Sequence, residues 1–207
     1  MKPPSVFDRN VREYDAWFEA HPLVYEAELR AVRACLPPGR GLEVGVGSGR
    51  FAAPLGIKLG LDVSLPMLDQ AKGRGVAALQ ARAEYLPVRD GALDFLLMVT
   101  VLCFVADPLA ALIEARRVVG GQGRLILAFL DRLSPMGALY DHHRQSSKFY
   151  RQARFFSVEE QLSLLRRAGF NDFDIRQTVR GDINSLLPEE PVLPGWGQGI
   201  FVVVTAR

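Results

Sequence analysis

The residues best suited to chemistry stand between Arg40 and Pro54, in the run Arg-Gly-Leu-Glu-Val-Gly-Val-Gly-Ser-Gly-Arg-Phe-Ala-Ala-Pro. Three alternate glycines, Gly45, Gly47 and Gly49, follow a short apolar run and precede a segment able to start a helix. A chain that turns from strand to helix through residues without a Cβ can bring backbone N–H groups against a ligand. An acid, Glu43, stands two places before the first glycine, and a second, Asp62, comes nineteen residues after Glu43. An acid at that distance, at the end of the next strand, suits the two hydroxyls of a ribose. It can equally be a strand-end turn residue. A dinucleotide fingerprint needs its third glycine three places after the second. Here that place holds Arg50, so the pyrophosphate-binding pattern fails.

These residues need a scaffold, and the rest of the chain supplies the signals for one. Phe7 to Cys35 reads as helical, with Tyr14, Trp17 and Phe18 at i, i+3, i+4 and Pro22 dividing it in two. The aromatic cluster packs on a sheet or forms a lid that excludes water. Pro37-Pro38-Gly39 stops the second helix. Strands are expected at Gly41–Val46, Ile57–Val63, Gly75–Ala81, Leu93–Val99, Arg124–Leu130, Phe173–Val179 and Ile200–Ala206. Helices fall between them. One starts near Arg50, one follows the cap Ser64, and one follows Asp107-Pro108 and ends before Gly120-Gly121. A further helix begins at Ser157, whose Glu160 makes a capping box, and stops at Gly169. The alternation predicts an α/β, Rossmann-like, doubly wound sheet of seven strands with helices on both faces. It is mostly parallel with an antiparallel last strand, because the final two strands lack a helix between them and pair as an antiparallel edge.

Composition narrows the partners. The chain has 207 residues, is 49% hydrophobic and carries a net charge of +2, enough for one domain with a sizeable core. Its basic residues are dispersed, so nucleic acid is not an expected partner. Cys35 and Cys103 stand far apart in apolar surroundings, which suits buried free thiols in a reducing cytoplasm. No metal site is expected. The start, Met-Lys-Pro-Pro-Ser-Val-Phe-Asp, has no signal-peptide core, and no apolar run reaches the roughly 18 residues of a membrane span. Within a single domain, residues 1–38 read as a helical lid and 39–130 as the ligand-binding core. Residues 131–156 read as a substrate-side insert, and 157–207 as a closing helix and edge strands.

Four motifs in register carry a resemblance. They are Leu42-Glu43-Val44-Gly45-Val46-Gly47-Ser48-Gly49, Leu61-Asp62-Val63-Ser64-Leu65-Pro66-Met67-Leu68, the run from Ala83-Glu84-Tyr85-Leu86-Pro87-Val88 to Leu93-Asp94-Phe95, and Ala115 to Leu125. Together they resemble the class I S-adenosylmethionine-dependent methyltransferases, of the ubiquinone/menaquinone-biosynthesis type. The resemblance implies S-adenosylmethionine as cofactor, S-adenosylhomocysteine as product, and in-line methyl transfer to a small-molecule acceptor. It implies that Glu43, Gly45, Gly47 and Gly49 face the methionine part and that Asp62 binds the ribose. Val63 and Met67 would lie against the adenine, Ala83 and Glu84 at its edge, and Thr100 beside the sulfonium. The family often has an acid just before Ala83; this chain has Arg82. On the acceptor side the candidates are Tyr14, Trp17, Tyr140, His142 and His143. No residue is assigned as catalytic base, since one is needed only if the acceptor must lose a proton. Monomer and homodimer both remain open. An alternative is a non-catalytic S-adenosylmethionine- or nucleotide-binding regulatory module. A nicotinamide-dependent oxidoreductase is disfavoured by the glycine spacing.

Overall fold

Apolar runs become strands that pair across the chain. In a computed structural model describing residues 5–183 and 186–207, β1 (Gly41–Val44), β2 (Leu59–Asp62), β3 (Ala77–Gln80), β4 (Phe95–Val99) and β5 (Arg124–Leu130) run parallel. Residues 1–4, the start of the expected lid, and 184–185, in the proline- and glycine-rich loop, lie outside the described residues. Three more strands complete the sheet: β6 (Phe173–Thr178), β7 (Leu193–Pro194) and β8 (Phe201–Ala206), in the order β3-β2-β1-β4-β5-β8-β6-β7.

One expectation about the sheet needs correction. The sheet has eight strands, not seven. The extra one, β7, is two residues long and pairs antiparallel with β6 through Gln177 and Leu193. It is too short to show a period, and Pro194 is tolerated because the strand lies at the edge. The last two long strands pair antiparallel at one end of the sheet, as expected, with β8 lying between β5 and β6 and antiparallel to both. Its four apolar residues Phe201, Val202, Val203 and Val204 are fully covered, which only an interior strand allows.

The pleat distributes side chains to two cores. Phe95, Leu97 and Val99 of β4 join one cluster with Ile126, Ala128 and Val203. Leu96 and Met98 join the other with Leu125, Leu127 and Val204. The first core is covered by α2 (Val11–Ala20), α3 (Pro22–Cys35), α4 (Ala52–Leu55) and α5 (Leu65–Gly73). The second is covered by α6 (Pro108–Val119) and α8 (Val158–Arg167).

The caps are where the local chemistry asks for them. The Ser64 hydroxyl accepts from Met67 N–H at 3.4 Å, Asp107 from Ala110 N–H at 3.0 Å, and Ser157 and Glu160 cap each other. The N-terminal segment forms three helices rather than two. A short α1 (Val6–Arg9) with a Ser5–Asp8 capping box precedes α2, and Asn10 breaks the run with φ −133° and a side-chain bond to Val6 O. The polar insert holds another helix, α7 (Pro135–His143), opened by Ser134 and Pro135.

Candidate functional site

The glycine bend is shaped by its neighbours. Gly60 on β2 has no room for a Cβ, which would sit 2.7 Å from Val46. That close approach lets Gly45 and Val46 N–H both donate to Leu61 O, at 2.7 and 3.0 Å. The chain then turns through φ +71° at Gly45, +52° at Gly47 and +84° at Gly49, a region that side-chain-bearing residues rarely adopt. A Cβ on Gly45 would meet Val101 at 2.3 Å, and one on Gly49 would press on Ala71 at 3.2 Å. At Gly47 the space is open to within 3.8 Å of the Tyr14 hydroxyl.

Asp62 at the end of β2 holds this bend. One carboxylate oxygen accepts from Gly47 N–H at 2.9 Å and the other from Ser64 N–H at 2.8 Å. Burial still raises its pKa, with the backbone donors offsetting part of the effect. Beneath the bend Glu43 is 1% exposed, and one of its oxygens has no hydrogen-bond partner. Burial pushes its carboxyl well above the usual range, against a backbone donor at Ala52.

A second device lies outside the bend. Asp15 on α2 accepts from the Ser48 hydroxyl at 2.6 Å, from Arg50 at 3.0 Å and from Arg74 at 2.7 Å, and Arg74 also donates to Ser48 O. Burial alone would raise the Asp15 carboxyl, but these donors outweigh it and hold it below its ordinary value. The N-terminal helices are thereby fastened to the glycine bend.

Over the bend opens a cavity of about 210 Å³. It lies at the carboxyl ends of β1, β2 and β4, where open α/β sheets form ligand crevices. Gly45, Gly47, Asp62, Val63, Met67 and Thr100 line one side. Tyr14, Trp17, Phe104, Tyr140, Phe149 and Tyr150 line the other, with Glu28 of α3 among them. Thr100 and Val179, both β-branched, adopt positive φ of +50° and +60°, and both line this cavity. Such strain persists only where the surroundings over-determine it, and it clusters at functional sites. Among the described residues lining the cavity none is lysine or arginine, while Asp62 and Glu28 are acids.

Nine of the candidates read from the sequence thus come together around one cavity: Tyr14, Trp17, Gly45, Gly47, Asp62, Val63, Met67, Thr100 and Tyr140. Glu43 and Gly49 lie behind the bend rather than on its open face. Ala83 and Glu84 are buried in the other core region, and Glu84 pairs with Arg82 at 3.0 Å. His142 and His143 are exposed on α7 with their rings 5.0 Å apart, and neither lines the cavity. Sequence reasoning passed over Glu28. Its helical phase with Val24, Ala31, Val32 and Cys35 puts it on the buried face of α3, so a lone acid in an apolar stripe was the available signal.

The residues present fit a cationic, nucleoside-bearing ligand: a bend without side chains, an acid for hydroxyls, a buried acid with an orphaned oxygen, and aromatic walls. Comparison with known proteins agrees. Residues 42–127 match the model of a methyltransferase domain family. The crystal structure of an S-adenosylmethionine-dependent methyltransferase from Thermotoga maritima, described as a possible histamine N-methyltransferase, is 47% identical with a TM-score of 0.95 over 97% of each chain. An uncharacterized protein of Methanocaldococcus jannaschii is 40% identical over 98% of both chains. A malonyl-[acyl-carrier protein] O-methyltransferase of Geobacter sulfurreducens is 30% identical over 84% of this chain and 72% of its own. The chain belongs to the S-adenosylmethionine-dependent methyltransferases, and its cofactor is S-adenosylmethionine. The class I membership expected from the motifs holds, whereas the ubiquinone/menaquinone type is not singled out.

Proposed function

We propose that this methyltransferase acts on a small-molecule acceptor, bound between the glycine bend and the aromatic wall, by in-line displacement. The observation that carries the reading is the cavity itself: backbone and acid on one side, rings on the other, and no basic side chain among the described residues lining it. When bound, S-adenosylmethionine supplies an activated methyl group on a positively charged sulfur. The chain's own task is to position. Gly45 and Gly47 leave room for close approach, Asp62 turns its oxygens to the ribose hydroxyls, and Val63 and Met67 give the adenine an apolar bed. Glu43 steadies the bend from below, and Thr100 fixes the wall after β4. We assign Gly49 to the turn and Ala83 and Glu84 to the adenine edge, where the Arg82–Glu84 pair takes the place of a lone acid.

The acceptor half comes from α1, α2 and the insert, with Phe7, Tyr14, Trp17, Tyr140 and Phe149 as walls. The relatives' names point to different acceptors, a nitrogen of histamine in one and an oxygen of malonyl-[acyl-carrier protein] in another. A carboxylate acceptor would call for a basic partner, and this cavity supplies acids instead, which supports a neutral or cationic small molecule. The free thiols Cys35 and Cys103, both pushed up by burial, suit a reducing cytoplasm. Among the described residues no helix is long and apolar enough to cross a membrane.

Titration of the protein with S-adenosylmethionine, followed by single-turnover transfer of its labelled methyl group to a panel of small amines, thiols, phenols and carbon acids, tests the reading. Replacing residues 131–150 by a short loop should abolish transfer while cofactor affinity is kept. Unchanged transfer would refute the acceptor assignment. Binding without transfer to any acceptor would favour the non-catalytic module.

A further inference from the structure

Glu28 is a buried charged group without an evident structural purpose. It lies in the middle of α3, 8% exposed, and faces the cavity rather than another polar side chain. No hydrogen bond or ion pair to a described residue engages its carboxyl, although every other buried acid of the cavity region is tied by at least one donor. An isolated buried carboxyl is expensive, and a chain that needed only packing here would carry an apolar residue. Its surroundings are aromatic: its charge is felt by Tyr14 of α2, by Tyr140 of α7 and by Tyr150 of the turn after it, all three lining the same cavity. Trp17 adds a further ring. Each of those hydroxyls is itself held protonated by burial, so the tyrosines offer faces and O–H donors but no second negative charge. Burial brings the Glu28 carboxyl up to about 8, near enough to neutrality for it to gain or lose a proton as a partner arrives.

We propose that Glu28 is the acceptor-recognition residue of this enzyme and that the acceptor is a small amine, which arrives as an ammonium cation held by Glu28 through N–H bonds among the rings of Tyr14, Tyr140 and Trp17, and which gives one N–H proton to the Glu28 carboxylate so that the freed lone pair can take the methyl group as its bond to sulfur breaks. The inference rests on the reading of the cavity as a methyltransferase site and deepens it by naming the acceptor class. A carboxyl in a cavity lined by aromatic rings is complementary to an ammonium group, which both can attract. A phenol, thiol or carbon acid would gain a hydrogen bond from Glu28 but nothing from the rings' negative faces. A site whose buried polar group expects a donor discriminates strongly against an isostere lacking the charge.

The test separates this proposal from the cofactor assignment. Phenethylamine and its neutral isostere 2-phenylethanol, and benzylamine with benzyl alcohol, are titrated calorimetrically against protein saturated with S-adenosylhomocysteine, for wild type, Glu28→Gln and Glu28→Met. At least one amine should bind tenfold or more tightly than its alcohol in wild type. That preference should vanish in both variants while their affinity for S-adenosylhomocysteine stays within twofold of wild type. Glu28→Gln replaces a carboxylic acid by a group of the same shape, so the fold is retained. Equal binding of amine and alcohol, no binding of either amine, or a preference that survives in the variants would overturn the proposal and leave the cofactor site standing. Loss of S-adenosylhomocysteine binding in Glu28→Gln would also overturn it, by placing the residue in the cofactor half.

Discussion

The two walls of the cavity are built on opposite terms. On the glycine-bend side most polar atoms already have partners: Gly47 N–H meets Asp62, Ser64 N–H meets the same carboxylate, Ser48 is locked to Asp15, and one oxygen of Glu43 beneath the bend is left over. On the helical side the carboxyl of Glu28 faces the cavity with no hydrogen bond or ion pair to a described residue. The difference teaches which wall is fixed by the fold and which is completed by a ligand. A backbone cradle must be rigid before the ligand arrives, because its donors cannot move. A buried acid left open costs stability until something joins it, and that cost identifies a site selected for binding.

The sharpest way to break the contrast is to damage the rigid wall. Gly47→Val forces a β-branched residue to φ +52° and puts its side chain into the cavity, where only Tyr14 lies within 4 Å. Asp62→Ala removes the carboxylate that would face the ribose. Each should weaken S-adenosylmethionine binding by about 100-fold or more, measured by calorimetry: Asp62→Ala by the worth of two charged hydrogen bonds, Gly47→Val by strain and lost room. Wild-type affinity in both would mean the bend is not the cofactor's seat.

The open wall makes an opposite prediction. The carboxyl of Glu28 has an ordinary value of 4.5 and sits at about 8 in the fold. Between those pH values the unfolded chain has released a proton that the folded chain keeps, so folding weakens as pH rises through the window. Glu28→Gln removes that slope. Its advantage over wild type should be absent near pH 4.5 and grow by up to about 1.4 kcal/mol per pH unit toward pH 8. Asp62 and Glu43, also raised, are common to both proteins and cancel. Tyr14, Tyr140 and Tyr150, which face Glu28, stay neutral throughout. Urea denaturation at pH 5 and pH 8 measures this, and parallel curves for the two proteins would contradict it.

A smaller effect is expected between the walls. Asp15→Ala leaves Arg50 and Arg74 without their shared acceptor, and the Arg50 side chain is only 16% exposed. Stability should fall by about 1–3 kcal/mol by the same denaturation. Cofactor affinity should fall by less than in Asp62→Ala, since Asp15 acts on the bend from outside. Smallest of all, His142→Ala and His143→Ala should change methyl transfer by less than about twofold. Both rings are exposed on α7, where substitutions are near neutral.

How far the sequence could be read follows the same division. The glycine bend, the Asp107-Pro108 start of α6 and the Ser157–Glu160 box are local devices, complete within a few residues, and they stand where their residue types require. The interior place of β8 was not legible, because strand order depends on which edge a distant segment finds. The strand β7 is shorter than any period, and α7 is polar on most of its surface with only its Ser134-Pro135 opening as a signal. At the site, Asp62 followed from its distance to Glu43. Glu28 shows in the sequence only as a lone acid in the apolar stripe of α3; that it faces the cavity without a partner depends on contacts from distant segments, which leave no motif.

The position of bound S-adenosylhomocysteine decides whether the glycine bend is the cofactor's seat. A crystal of the protein grown with S-adenosylhomocysteine should show its ribose at Asp62, its backbone-facing part over Gly45 and Gly47, and its sulfur pointing toward the rings around Glu28. Density for the same molecule on any other surface, with the glycine bend left bare, would contradict it.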